Sequence, residues 1–153
     1  MTPQAFINLI APAARASAAT TKIPASFTVA QGADESGWGT SQLFLQAFNL
    51  FGVKADSSWH GPTIDMPTGE YVNGQRVTVE ATWRRYTSWL EAIQDRAAFF
   101  LDNPRYKPAF AYTSGPTFAF AVAAAGYATD PKYGQKLASI IKTHNLSTLD
   151  SAS

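Results

Sequence analysis

A mainly α-helical fold with one small central β-hairpin lobe is the expectation for this chain of 153 residues, and three observations carry it. Apolar residues recur at helical spacing at both ends of the sequence. A Pro-, Gly- and Thr-rich middle leads to Asn73-Gly74, a dipeptide suited to a two-residue type I′ hairpin turn. Stop and cap signals (Gly37, Gly126, and Ser88 with Glu91) bracket the apolar runs. A helical lobe and a β-lobe joined in this order leave a groove between them.

Each element follows in turn. Thr2-Pro3 opens the first helix, because proline at the first helical position lacks an N–H that would be unpaired anyway. Phe6, Leu9, Ile10, Ala13 and Ala14 form its apolar stripe, and Pro12 is expected to kink it or end it early. Pro24 opens a second helix with Phe27, Ala30 and Ala33 on one face and Gly37 as its stop. A short helix is predicted over 41–48. After an irregular stretch over 59–68, the hairpin pairs Val72 with Gln75 and Glu70 with Val77. Glu70, Val72, Val77 and Val79 then share one face, and Tyr71, Arg76, Thr78 and Glu80 the other. Ser88 caps a helix over 89–101 with Trp89, Ile93, Ala97 and Leu101 facing inward. A helix over 117–125 stops at Gly126. Asp130-Pro131 starts the last helix, with Tyr133, Leu137, Ile140 and Ile141 inward and an end near Asn145. Residues 1–146 are expected to form a single domain, and 147–153 a frayed tail.

Composition narrows the function. An apolar fraction of 46% with 15% charged residues marks a globular chain with a real core. A formal net charge of +1 and no Lys/Arg run leave no footprint for nucleic acid. There is no cysteine, so disulfides, thiolate catalysis and cysteine metal sites are excluded. His60 and His144 lie too far apart for a local metal motif, and no metal or cofactor is expected. The N-terminus lacks the pattern of a secretory signal, and the longest nearly apolar run, 118–128, is too short to span a bilayer. A monomer without membrane insertion is expected.

The stretch Ala30-Gln31-Gly32-Ala33-Asp34-Glu35-Ser36-Gly37-Trp38-Gly39-Thr40-Ser41 carries most of the chemistry. It sets a carboxylate at the end of an apolar helix and a large aromatic beside the break. A carboxylic acid that keeps its proton near neutral pH needs such a semi-apolar site, because desolvation disfavours the charged form. Acid-assisted cleavage of a sugar linkage needs that acid and aromatic surfaces for the rings. Asp34 and Glu35 point ~100° apart on a helix, so only one faces a given groove, and composition does not choose between them. A second carboxylate is assigned to Glu70, since a charge on an apolar face needs a task or a partner; Glu80 lies on the wet face near Arg76 and Arg84. Trp38, Phe51, Trp59 and Tyr71 are candidate sugar platforms, whereas Trp83 and Trp89 read as core. Asn49 either holds the turn into Leu50-Phe51-Gly52 or bonds an acetamido group. Lys54 is a candidate groove cation.

Five ordered blocks resemble the glycoside hydrolase family 73 endo-β-N-acetylglucosaminidases, the peptidoglycan-cleaving domains of autolysins, phage lysins and flagellar hydrolases. They are the stretch above, Asn49-Leu50-Phe51-Gly52-Val53-Lys54, Trp59-His60-Gly61, Thr68 to Gly74, and Ala125-Gly126-Tyr127-Ala128-Thr129-Asp130-Pro131-Lys132-Tyr133. The resemblance implies a lysozyme-like fold, glycan strands of peptidoglycan as substrate, and cleavage after N-acetylglucosamine. It assigns Glu35 as the catalytic acid, favours Glu70 as the second carboxylate, and places Tyr127 near the cleavage point. Asp34 departs from the family pattern, which usually has an apolar residue there. Action on the cell wall without a secretory signal suggests a phage lysin held in the cytoplasm until release, or an excised catalytic domain. A muramidase or lytic transglycosylase is the alternative enzyme, although its G-A-x-G-L-M-Q run is missing. A wall-binding module without catalysis is the alternative from another class.

Overall fold

Helix α2 (Ala25–Ser36) is the axis of the fold: of its 12 residues, only Asp34 and Glu35 escape burial. The coordinates are a computed structural model that describes residues 1–151. Sequence periodicity gave α2 one buried face, but small residues let neighbours close around it. Gly32 shows why they are small, since a Cβ there would stand 2.9 Å from Leu50 Cδ1. Gly37 ends the helix in the left-handed conformation (φ 58°) and its N–H bonds the Ala33 carbonyl, as a C-terminal glycine should.

Around this axis pack α1 (Pro3–Thr21), α4 (Trp89–Asp102), α5 (Gly115–Ala124) and α6 (Tyr133–Thr143), with the short α3 (Gln42–Ala47) following the α2 break. Helix α1 runs through Pro12 instead of ending there. Pro12 is exposed, so the Asn8 carbonyl that loses its partner faces the solvent side, where water can replace the bond. Leu9 lies outward, 40% exposed, while Ile7 joins Phe6, Ile10 and Ala14 in the core.

Helix α4 corrects its predicted face. Ser88 caps it by accepting from Glu91 N at 3.0 Å, but the Glu91 carboxylate takes the Thr87 hydroxyl instead of closing a reciprocal box. Its buried residues are Ala92, Ile93, Ala97 and Phe100, and Leu101 is 52% exposed. Steps of four residues drift by about 40° each, so Leu101 falls about 120° from Trp89 while Phe100 returns to within about 20°. Trp89 is half-buried, stacked on Phe44 with centroids 4.3 Å apart.

The β-lobe is a single antiparallel hairpin, β1 (Thr63–Val72) and β2 (Gln75–Arg84), longer than predicted but in the predicted register. Asn73 and Gly74 both have positive φ (52° and 79°), as a type I′ turn requires. Pro67 is tolerated inside β1 because alternation from the closing Val72–Gln75 pair puts it at a non-hydrogen-bonded site. Ile64, Met66, Thr68 and Glu70 alternate with exposed neighbours, and so do Val77, Val79, Ala81 and Trp83, giving the lobe one semi-apolar face.

The hairpin is anchored at its base. Ala55 N bonds Thr82 O at 2.9 Å, Arg84 N bonds Val53 O at 3.1 Å, and Tyr86 N bonds Ala47 O at 2.8 Å. Arg84 also reaches Asp95 on α4 at 2.8 Å, where the Tyr86 hydroxyl donates at 2.6 Å.

The predicted frayed tail gives way over 147–150, and residues 152–153 of it lie outside the described residues. A 3-10 segment, Leu146–Asp150, docks on α2, and Asp150 accepts from Ser26 N at 2.9 Å and Ser26 Oγ at 2.5 Å. A carboxylate at a helix N-terminus satisfies otherwise unpaired N–H groups and meets the positive end of the dipole. Among the described residues, no helix is long and apolar enough to cross a membrane.

Candidate active site

The two acidic residues at the end of α2 diverge. Asp34 turns toward α6, where Lys136 Nζ stands 3.8 Å from it and 3.5 Å from Asp130. Glu35 has no ion pair among the described residues. It remains open to solvent, so the semi-apolar site expected from the sequence is an open wall and not an enclosed pocket. The protein around it still raises its pKa: desolvation contributes most, then the charge of Asp34, against Arg96 and Lys136, which lower it. The Asp34 departure therefore acts electrostatically, through a like charge one residue away.

Tyrosines crowd the same place. Tyr127 follows the α5 stop and Gly126 (φ 88°), half-buried among Phe100 (centroids 5.3 Å), Tyr133 (5.4 Å) and Phe99 (6.1 Å). Burial pushes its phenol up to about 12, Arg96 opposes this, and Glu35 adds to it. Tyr133 is buried as predicted, but its hydroxyl is not idle. It accepts from Gln31 Nε2 at 3.1 Å, and burial raises its pKa with smaller contributions from Tyr127 and Glu35. Gln31 lies one turn before Glu35 on α2, so the two project on one side of the helix.

Sequence reasoning missed Gln31, the Tyr133 hydroxyl and Arg96. The Arg96 guanidinium lies over Phe99 (4.9 Å), Phe51 (5.7 Å) and Tyr127 (5.7 Å). A signal existed in the sequence: Arg96 precedes Phe99 and Phe100 by three and four residues on one helix.

The remaining candidates separate. Glu70 lies on the semi-apolar face of β1, and its Oε1 meets Lys54 Nζ at 3.1 Å. Glu80 is on the exposed opposite face. Glu70 is not among the charges that shift Glu35. Tyr71, 75% exposed near the hairpin tip, is free to meet a ligand. Trp59 is half-buried, with Arg84 over its ring at 5.1 Å and its indole N–H on Pro62 O at 2.9 Å.

Two platform or contact assignments need correction, and Trp38 packs at the helix break as expected. Phe51 is buried under Arg96, so it cannot present a face to a sugar. Asn49 is buried, and its amide donates to Val53 O (2.9 Å) and Arg84 O (2.8 Å) while its oxygen accepts from Val53 N (2.9 Å). Its amide hydrogens are spent on holding the hairpin base, which leaves none for an acetamido group. Trp38 adopts a left-handed backbone (φ 59°) and packs edge-on against Phe6 (5.6 Å) and His144 (4.7 Å), as a peg between α1 and the end of α6. Among the described residues, no group of three or more His, Asp or Glu side chains is placed to hold a metal ion.

A raised-pKa carboxyl that is open to solvent and coupled electrostatically to Tyr127 and Tyr133 is equipped to deliver a proton to a bound molecule. Known proteins place this arrangement in a family. The family profile described as "Glucosaminidase: Mannosyl-glycoprotein endo-beta-N-acetylglucosaminidase" matches residues 11–146. "Peptidoglycan hydrolase FlgJ" of Salmonella typhimurium is 40% identical over 141 residues, covering 90% of this chain and 45% of that protein. "Exo-glucosaminidase LytG" of Bacillus subtilis is 37% identical over 130 residues, covering 82% of this chain and 45% of that one. The chain thus spans about half the length of the curated relatives it matches. The solved structure of a C-terminally truncated glycoside hydrolase domain from Salmonella typhimurium FlgJ superposes with a TM-score of 0.83 at 38% identity, covering 94% of this chain and 98% of that one. With a matching profile over most of its length and a lysozyme-like architecture shared with that domain, the chain belongs to the glucosaminidase family, glycoside hydrolase family 73.

Proposed function

We propose that the chain hydrolyses peptidoglycan at the β-1,4 bond after N-acetylglucosamine, with Glu35 as the general acid. The observation that carries this reading is the state of Glu35: reachable from solvent, without an ion-pair partner among the described residues, and shifted upward by desolvation and Asp34. An acid with a raised pKa keeps its proton at the pH where the leaving oxygen needs it. A glycan strand lying in the groove would displace water from Glu35 and complete the desolvation that the free protein only begins.

Glu35 protonates the departing glycosidic oxygen, and positive charge develops at the anomeric carbon. Two routes then meet that charge. Glu70 could activate a water for inversion if the hairpin brings it within ~6.5–9.5 Å of Glu35. Alternatively the 2-acetamido oxygen of the N-acetylglucosamine attacks the anomeric carbon as the leaving oxygen departs with the Glu35 proton, Tyr127 steadying it; water then opens the oxazolinium ion and returns a proton to Glu35, so configuration is retained. The Lys54 ion pair, which occupies the Glu70 carboxylate, supports the second route. In that route Glu70 orients the strand from the hairpin, whereas Tyr71, on the Glu80 face, meets it only beyond the hairpin tip.

Digestion of purified peptidoglycan followed by mass spectrometry tests the bond. New reducing ends on N-acetylglucosamine are expected; reducing or anhydro-muramic ends would make the enzyme a muramidase or transglycosylase. Equal clearing by the wild type and Glu35→Gln, or none from either, would support a wall-binding role instead.

A further inference from the structure

A groove of about 310 Å³ opens between the segment after α3 and helix α4, and Lys54, Arg84 and Arg96 all line it. Two of these cations are occupied. Lys54 holds Glu70 at 3.1 Å, and Arg84 holds Asp95 at 2.8 Å and Asp56 at 3.2 Å. Arg96 has neither an ion pair nor a hydrogen bond among the described residues, and its Nε is buried without a partner.

Aromatic rings hold it instead, with Phe99 at 4.9 Å and Phe51 and Tyr127 each at 5.7 Å. Ring faces attract a cation but cannot accept its N–H groups in the plane of the fork. A guanidinium fixed among rings, with vacant donors and an adjoining space, is matched to a planar anion that accepts two parallel hydrogen bonds. Asp56 and Asp95 also line the groove, but both are held by Arg84, which leaves the Arg96 side for an incoming anion. Position narrows the anion further. Arg96 lies over the Tyr127 ring at 5.7 Å, which sets its end of the groove beside the residue assigned to the cleavage point. A group entering it belongs to a sugar next to the cleaved bond.

We propose that Arg96 is a specificity-determining residue that binds a carboxylate on the 3-O-substituent of the muramic sugar beside the cleaved bond. The carboxylate has two sources with the same chemistry: the lactyl group itself, or the peptide stem attached to it. This inference rests on the peptidoglycan reading above. It differs from a role in tuning Glu35, because charge tuning would act on every substrate alike.

Soluble glycan strands in three forms test it: with peptide stems, stripped by an amidase to free the lactyl carboxylate, and stripped then converted to the neutral methylamide. Wild type, Arg96→Gln and Arg96→Lys are compared by kcat/KM, with thermal melts to establish that each is folded. The wild type is expected to favour at least one carboxylate form over the methylamide by at least tenfold. Arg96→Gln should lose that preference, and Arg96→Lys, which keeps the charge without the fork, should recover part of it. Preference for stripped strands names the lactyl group, and preference for stem-bearing strands names the peptide. Equal loss by Arg96→Gln on all three forms, or a carboxylate preference that survives it, overturns the proposal. If the wild type cleaves none of the three, or Glu35→Gln equals it, the hydrolase reading has failed and this inference falls with it.

Discussion

The Lys54 ammonium stands 3.1 Å from the Glu70 carboxylate, tying the segment after α3 to the semi-apolar face of the hairpin. With side chains 53% and 43% exposed, the pair adds little stability, about 0–1 kcal/mol in general. Its consequence is orientation: it holds Glu70 on the groove side, while Glu80 faces away. Glu70→Gln should therefore lower kcat/KM on peptidoglycan, though less than Glu35→Gln does, and Glu80→Gln should stay near wild type. A larger loss for Glu80→Gln would mean that Glu80 is the second carboxylate.

Glu35→Gln should reduce wall clearing at least ~100-fold, about 2.7 kcal/mol of barrier, because the amide cannot donate a catalytic proton. The same substitution should leave the melting temperature at pH 7 unchanged or higher. Glu35 has a folded-state pKa above its unfolded one, so the folded protein holds the proton more tightly. Stability is greatest below the unfolded pKa and declines as pH rises through the folded one. Removing the ionisable group removes that decline. A lower melting temperature for the variant at pH 7 would contradict this.

Asp34→Asn should move the alkaline limb of the kcat/KM profile to lower pH. Asp34 raises the Glu35 pKa, so losing its charge lets Glu35 give up its proton earlier as pH rises. Lys136→Gln should move the same limb to higher pH, since Lys136 lowers the Glu35 pKa. Profiles that move together in one direction would contradict this electrostatic account.

Asp150→Ala should destabilise the fold by about 1 kcal/mol, lowering the melting temperature by roughly 2–4 °C. The change strips the α2 N-terminus of the acceptor for Ser26 N and Ser26 Oγ. Activity at 25 °C should be retained, because Asp150 meets the opposite end of α2 from Glu35. Calorimetry beside a clearing assay separates the two effects.

Asn49→Ala should cost on the order of 2–4 kcal/mol, since it leaves Val53 N, Val53 O and Arg84 O without their side-chain partner at the hairpin base. Chemical denaturation reads the loss. A variant as stable as wild type with weakened substrate binding would return Asn49 to the sugar contacts.

Local signals were legible where a short stretch of chain decides its own conformation. Asn73-Gly74 fixed the hairpin register, so Glu70 and Glu80 could be put on their correct faces. Ser88 and Gly37 cap where residue chemistry says they should. Side-chain assignments went astray where burial depends on distant partners. Phe51 and Asn49 stand in a segment that reads as a loop, yet α4 and the hairpin base close over them. The docked 147–150 segment was illegible for the same reason: its partner, Ser26, lies 124 residues away from Asp150.

By itself the sequence determined the helical and hairpin elements, the helix break beside Glu35, and the family blocks that mark the chemistry, because these depend on neighbours along the chain. Only the tertiary structure decided that Asp34 turns to Lys136, that the Tyr133 hydroxyl accepts from Gln31, and that among the described residues Glu35 has no ion pair and Arg96 lies among rings with its Nε unpartnered. Charge and desolvation act through space, and their balance at Glu35 is set by α4 and α6 arriving from the far half of the chain.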